Sequence, residues 1–169
     1  MKSMENANQV LAAIPLFAEV LDADQIDLLA GRCDVAIFLA GSLLMTEGDY
    51  GTSMFALVEG TVEVTLAGRR GDAHGVATLG GGDIVGEMSL MTGARRSATV
   101  TASSEVVAIE ITKVALEEVL ARAPDLIDSF GTVLARRRAE LDRAAIEAAW
   151  AGKDDIVGQI RRFFGGGGK

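Results

Sequence analysis

Thr61-Val62-Glu63-Val64-Thr65-Leu66 alternates polar and apolar side chains without a fault. Successive side chains of a strand point to opposite faces, so this stretch predicts a strand with one buried and one wet face. Working outward, β-type runs lie on both sides of it. Residues 35–39, 43–47 and 53–59 precede the 61–67 run, and 75–79, 83–85, 97–102 and 106–112 follow it. Gly41, Gly48, Gly51, Gly60 and Gly80-Gly81-Gly82 punctuate these runs, and Glu59-Gly60 suits a tight hairpin turn. Eight short strands at this spacing predict a double-sheet roll or barrel.

Helical patterns flank the strands. Over residues 5–31, Leu11, Ile14 and Phe17-Ala18 share an apolar face, Pro15 breaks it, and Asp24 is placed to cap a short helix carrying Ile26, Leu28 and Leu29. Beyond the strands, Thr112 is the expected cap of a helix over 114–121. Pro124 suits the first position of the next helix, with Asp125 and Asp128 near its positive end. Leu126, Phe130, Val133, Leu134 and Leu141 form one stripe of that helix. Ile156-Val157, Ile160 and Phe163-Phe164 predict a last short amphipathic helix, read as a packing or dimer element, before a flexible Gly165-Gly166-Gly167-Gly168 end. The expected fold class is α+β: an eight-stranded antiparallel double-sheet β-roll, jelly-roll-like, with flanking N-terminal helices and C-terminal lid helices. The expected segments are 1–33 (helical), 34–112 (roll), 113–145 (closing helices) and 146–169 (amphipathic helix and Gly tail).

Composition excludes several chemistries. The chain of 169 residues has one cysteine, Cys33, and one histidine, His74, so neither a disulfide nor a Cys/His zinc site can form within it. Cys33 reads as a small core thiol. His74, in Gly71-Asp72-Ala73-His74-Gly75, reads as an exposed loop residue. No Ser-His-Asp signature is present, so no catalytic residue, metal or cofactor is expected, and the chain is read as a non-enzyme. The net charge of −8 disfavours nucleic acid and anionic lipid as partners. The apolar run Val10 to Ala18, behind Lys2, resembles a signal-peptide core, but Glu5, Pro15 and the missing cleavage pattern argue against one. No stretch reaches the roughly 18 apolar residues of a membrane span, and a cytoplasmic location is expected. The charge is uneven: residues 1–94 hold 13 acids and 4 bases, whereas 95–169 hold 11 acids and 12 bases. The sign changes at Arg95-Arg96.

That change falls inside Gly86-Glu87-Met88-Ser89-Leu90-Met91-Thr92-Gly93-Ala94-Arg95-Arg96-Ser97-Ala98-Thr99-Val100. The stretch leaves a strand, passes through Gly86, makes a turn or so of helix and re-enters a strand at Ser97. A glycine before a helix lets backbone N–H groups approach an anion closely, and the helix end adds positive potential. Arg96 can offer a bidentate fork to a phosphate. Glu87 only accepts hydrogen bonds when ionised, which suits a ribose hydroxyl. The spacing alone fits equally a helical corner between strands with a surface ion pair from Glu87 to Arg96.

The stretch closely resembles the phosphate-binding cassette of cyclic-nucleotide-binding domains, found in regulatory subunits of cAMP-dependent kinase, catabolite-activator-type regulators and nucleotide-gated channels. The likeness extends over residues 8–145. It implies that Arg96 binds the cyclic phosphate and that Glu87 holds the ribose 2′-hydroxyl. It further implies that Gly86, Ser97 and Ala98 face phosphate or base. Val85 stands where many members carry an aromatic, and Arg95 where many carry Pro; Arg95 reads as a solvated surface residue. Ser97 follows the cassette arginine, where cGMP-preferring members often have Thr. The expected ligand is cAMP, with cGMP as a second ligand.

Arg137 lies seven residues after Phe130, three after Leu134 and four before Leu141, which puts it on the apolar stripe. Two readings stay open: the guanidinium snorkels to the edge of the stripe, or it folds over the pocket and meets the purine, as a C-terminal-helix arginine does in some bacterial channel domains of this family. Gly131, in the same helix, costs helix stability and is read as tolerated. The expected function is a ligand-driven switch whose lid closure controls an effector. Favoured is a bacterial membrane channel, in the same full-length chain, with homo-oligomers formed through it. A stand-alone receptor acting through a partner is the alternative. A transcription regulator is disfavoured, because residues 146–169 lack the character of a recognition helix.

Overall fold

The computed structural model describes residues 7–67, 73–141 and 160–164. Three short helices lead: α1 (Ala7–Ala13), α2 (Pro15–Val20) and α3 (Ala23–Ala30). Pro15 ends α1 and starts α2, because it lacks an N–H and holds Ile14 in the extended region (φ −79°, ψ 122°). The cap of α3 is Asp22 rather than Asp24. Its carboxylate accepts from the Gln25 N–H at 2.8 Å while the Gln25 side chain accepts from the Asp22 N–H at 2.9 Å, a reciprocal capping box that Asp24, inside the first turn, cannot make.

The strands are β1 (Asp34–Phe38), β2 (Leu43–Met45), β3 (Ser53–Glu59), β4 (Val62–Ala67), β5 (Ala73–Leu79), β6 (Ile84–Val85), β7 (Thr99–Ala102) and β8 (Val106–Thr112). They form two antiparallel four-stranded sheets, ordered β1-β8-β3-β6 and β2-β7-β4-β5. Among the described strands, only the β4–β5 connection stays within a sheet. Every other connection crosses between the sheets, which closes the roll. Glu59-Gly60 is therefore a corner rather than a hairpin turn. Gly60 adopts φ +86°, and a Cβ there would stand 2.1 Å from the Glu105 carbonyl oxygen on the neighbouring corner. The Ser103 N–H donates to the Thr61 carbonyl and locks the two corners together.

His74 lies in β5 opposite Leu66, not in a loop: the strand begins at Ala73, where Thr65 to Ala67 supply pairing partners. β2 ends at Met45, and β7 begins at Thr99, so Ser97 and Ala98 lie just ahead of it.

The strand alternation separates two cores. In β3, Met54 and Ala56 face a core shared with the helices, whereas Phe55 and Leu57 face the interior of the roll. Both faces of β3 are buried, which accounts for its unbroken apolar run. In β4, Val62 is buried and Glu63 exposed, as the alternation predicts, whereas Leu66, on the same face as Val62, is exposed towards the end of the strand.

The cassette helix α4 (Glu87–Thr92) sits between β6 and β7, and α5 (Lys113–Arg122) and α6 (Leu126–Leu141) follow β8. The Thr112 hydroxyl caps α5 by accepting from the Ala115 N–H. Pro124 lies in the turn before α6 rather than in its first position: the Leu126 and Ile127 N–H groups donate back to Ala123 and Pro124, and the helix starts only at Leu126. Phe130, Val133 and Leu134 are buried, and Phe130 meets Phe17 of α2 edge-on at 6.3 Å. Residues 160–164 are helical. The Leu141 side chain, Ile156-Val157 and the Gly165–Gly168 end lie outside the described residues, as do Lys2 and Glu5.

Candidate functional site

Gly86 opens the site. It adopts φ +84°, ψ 8° and is the N-cap of α4. This left-handed geometry is cheap for glycine alone. Its carbonyl accepts twice: from the Leu90 N–H at 3.2 Å, inside the helix, and from Arg96 Nη1 at 3.2 Å. The start of the helix and the guanidinium are thereby tied to one atom.

Arg96 is 6% exposed. Its backbone is clamped to the β2–β3 loop, its N–H donating to Asp49 at 2.7 Å and its carbonyl accepting from the Gly48 N–H at 2.9 Å. Two glycines leave the space for its side chain. A Cβ at Gly51 would stand 2.3 Å from Nε and Nη2, and one at Gly86 would stand 2.6 Å from Nη1. No buried side-chain nitrogen or oxygen among the described residues lacks a hydrogen-bond partner. The guanidinium N–H groups that Gly86 does not engage are therefore reached by solvent, and the solvent space that Arg96 lines is a cavity of about 400 Å³. Burial pulls the pKa of Arg96 below its ordinary value, and Glu87 opposes that shift.

Glu87, the first residue of α4, lines the same cavity. Burial pushes its carboxyl above the usual carboxylate range, against the pull of a backbone hydrogen bond and of the Arg137 and Arg96 charges. Among the described residues no direct ion pair joins Glu87 to Arg96, and Arg96 is buried. A surface pair at a helical corner is thus the wrong description. Ser97 and Ala98 line the mouth as the chain rises into β7, with Ser97 exposed.

Arg137 is half-buried on α6 and lines the same cavity as Glu87, and its charge is among those that pull the Glu87 carboxyl down. All six residues singled out in the sequence (Gly86, Glu87, Arg96, Ser97, Ala98 and Arg137) thus meet at one cavity. Sequence reasoning missed its apolar wall, which includes Val64, Leu79 and Val100 from three strands, and it missed Gly51. Alternation marks the inward side of β4, but nothing local shows that β5 and β7 face the same space. Val85 is buried and also lines the cavity. Arg95 is exposed, as expected, with its guanidinium 4.7 Å from the centre of the Tyr50 ring. Cys33 is buried, donates to the Leu29 carbonyl, and has its thiol pKa pushed up to about 12 by burial, then by Asp34 and Glu110; it is an inert core thiol.

The cavity combines one buried cationic fork, the carboxylate residues Glu87 and Asp83, a second arginine and an apolar wall. That set suits an anionic group joined to a polyhydroxyl ring and a flat apolar body. Comparison with known proteins agrees. Residues 36–123 match the cyclic nucleotide-binding domain family, and the chain belongs to it. It is 32% identical over 130 residues to a cyclic nucleotide-gated potassium channel from Rhizobium etli, covering 77% of this chain and 35% of the channel. It is 27% identical over 128 residues to the cyclic AMP receptor protein of Thermus thermophilus, covering 76% of this chain and 59% of that receptor. Among solved structures, the N-terminal domain of a transcriptional regulator from Streptomyces coelicolor superposes with a TM-score of 0.67 at 28% identity, covering 84% of this chain and 97% of that domain. The chain thus spans about a third of the channel and under two-thirds of the receptor. No described helix is long and apolar enough to cross a membrane.

Proposed function

We propose that this chain is a receptor module for cAMP, with cGMP as a weaker ligand, and that it switches an effector without chemical turnover. The observation that carries this reading is the buried Arg96 fork, held open by Gly51 and Gly86, in one cavity with Glu87. Arg96 and backbone N–H groups of the cassette take the cyclic phosphate, and Glu87 accepts from the ribose 2′-hydroxyl. The base lies along the apolar wall, and Arg137 on α6 covers it. Closure of α6 is the switch. The nucleotide shifts it only by binding the closed state more tightly than the open one.

The effector is a bacterial ion channel in the same full-length protein, which places this module on the cytoplasmic side of the membrane. Similarity to the Rhizobium etli channel supports that choice over a stand-alone receptor. Nucleic acid is not a partner on this reading, in keeping with the −8 charge.

Calorimetric titration with cAMP, cGMP and linear AMP tests the reading, with chromatography of the ligand after incubation. Expected is saturable binding in the order cAMP, cGMP, AMP, with cAMP recovered intact. Arg96→Ala should weaken cAMP binding more than about tenfold, because a buried charge-assisted partner is lost. Arg96→Lys should also weaken it, since the charge stays but the fork goes. Unchanged affinity in Arg96→Ala would remove the phosphate from this position, and conversion to linear AMP would overturn the non-enzyme reading.

A further inference from the structure

The helical residues 160–164 dock on the far end of the cassette helix. Ile160 is 0% exposed and shares an apolar cluster with Leu90 and Met91 of α4 and Phe130 of α6. The Phe163 ring covers Gly93, the left-handed C-cap of α4 (φ +74°): a Cβ at Gly93 would stand 2.6 Å from ring carbon Cδ2. Lys113 Nζ, at the start of α5, lies 4.4 Å from the centre of the same ring. Arg161 pairs with Asp128 in the first turn of α6. One five-residue segment therefore touches the end of the cassette helix and the start of the lid helix together.

Both helices carry ligand-facing groups at their other ends. Gly86 and Glu87 begin α4, and α4 has only six residues, about 9 Å at 1.5 Å per residue. A displacement at Gly93 is thus passed to Gly86 with little loss, because a helix this short moves as one piece and packed interiors do not deform smoothly. Arg137 stands near the other end of α6 from Asp128. In the arrangement where Phe163 covers Gly93 and Arg161 holds Asp128, Arg137 lies in the cavity beside Glu87.

We infer that residues 160–164 are a regulatory strap, and that its docking and occupation of the cavity by a cyclic nucleotide favour one another. The inference rests on the cyclic-nucleotide reading of the cavity. By linkage the coupling is reciprocal: undocking the strap weakens the nucleotide by the same factor by which nucleotide strengthens docking.

The test uses the whole chain. Phe163→Ala should lower cAMP affinity about fivefold or more, near the lower end of typical coupling factors. Arg161→Glu, which sets like charges against each other on exposed side chains, should lower it roughly two- to threefold without disturbing the core. Adding Asp128→Arg to that variant should restore the affinity. In the wild type, hydrogen exchange of the peptide containing residues 160–164 should slow when cAMP is added. Wild-type affinity in both Phe163→Ala and Arg161→Glu, or exchange at 160–164 that ignores cAMP, overturns the strap while leaving the cavity as the nucleotide site. A wild-type chain that binds neither cAMP nor cGMP overturns the cavity reading, and the coupling with it.

Discussion

The guanidinium of Arg96 occupies the space that a side chain at Gly51 would need, with a Cβ there standing 2.3 Å from Nε and Nη2. The β2–β3 loop thus serves the site by what it lacks, while Asp49 and Gly48 in the same loop bind the Arg96 backbone. Gly51→Ala should push the guanidinium off its position, since the conflict lies at the rigid planar head and not at a flexible tip. Its φ is not in the left-handed region, so the backbone itself tolerates alanine. Affinity for cAMP, measured by calorimetry, should fall about tenfold or more through loss of charge-assisted hydrogen bonds. Secondary structure by circular dichroism should remain that of the wild type.

Glu87 should trade stability for binding. Burial raises its pKa in spite of Arg137 and Arg96, so the folded protein holds this proton more tightly than the unfolded chain does. The sign follows from linkage: where the native state binds more protons, stability falls as pH rises. The favourable contribution is complete below the unfolded carboxyl pKa and is lost as pH climbs through the raised folded value. Glu87→Gln removes the buried charge and should raise the thermal midpoint at neutral pH, by a margin that shrinks on acidification. The same change should weaken cAMP about tenfold, because the ribose hydroxyl loses an ionised acceptor. In the wild type, affinity should begin to fall on acidification at a higher pH than an ordinary glutamate would give, and Glu87→Gln should flatten that dependence. A midpoint lowered at neutral pH by Glu87→Gln would show that the arginines, not burial, dominate.

Gly60 marks the limit of local reading. Its position after Glu59 suits a hairpin turn, yet β3 pairs with β8 and β6, while β4 pairs with β7 and β5. Sheet membership is set by partners far along the chain, and no short window contains them. The alternation of 61–66 was legible because one face of β4 is wet. Asp22 was legible in principle, since Gln25 follows it by three residues, but Asp24 offers an equally good capping side chain two positions on. Glu87 and Arg96 were legible as acid and fork from residue type and spacing, and resemblance joined them to one ligand. Gly51 was not: a glycine that makes room for a residue 45 positions away looks like any turn glycine.

Gly60→Ala should therefore destabilise the protein without touching the cavity. The substitution meets a left-handed backbone and a carbonyl oxygen 2.1 Å from the new Cβ, and that oxygen belongs to the adjoining corner and cannot swing away like a side-chain tip. Strain of this kind costs about 1–3 kcal/mol. Urea unfolding should show a lower midpoint with the slope unchanged, and the variant that remains folded should bind cAMP as the wild type does. Unaltered stability would mean that the two corners separate easily.

Arg137 brings α6 to the cavity, and its neighbour joins α6 to the leading helices. Arg136 pairs with Glu19 of α2, while Arg137 acts on Glu87 across the cavity. Arg137→Ala removes a half-buried side chain that is not part of the buried core, so the unfolding free energy of the ligand-free protein should change by no more than about 0.5–1 kcal/mol. Affinity for cAMP should fall about five- to tenfold, as expected for one lost stacking or hydrogen-bonding arginine. A second effect separates this role from simple packing. Arg137 is one of the charges that draw the Glu87 carboxyl down, so without it that carboxyl rises further. The loss of cAMP binding on acidification should consequently begin at a higher pH in Arg137→Ala than in the wild type. Arg137→Lys keeps the charge and should restore the pH profile while leaving much of the affinity deficit. An unshifted profile in Arg137→Ala, together with wild-type affinity, would place Arg137 outside the working site.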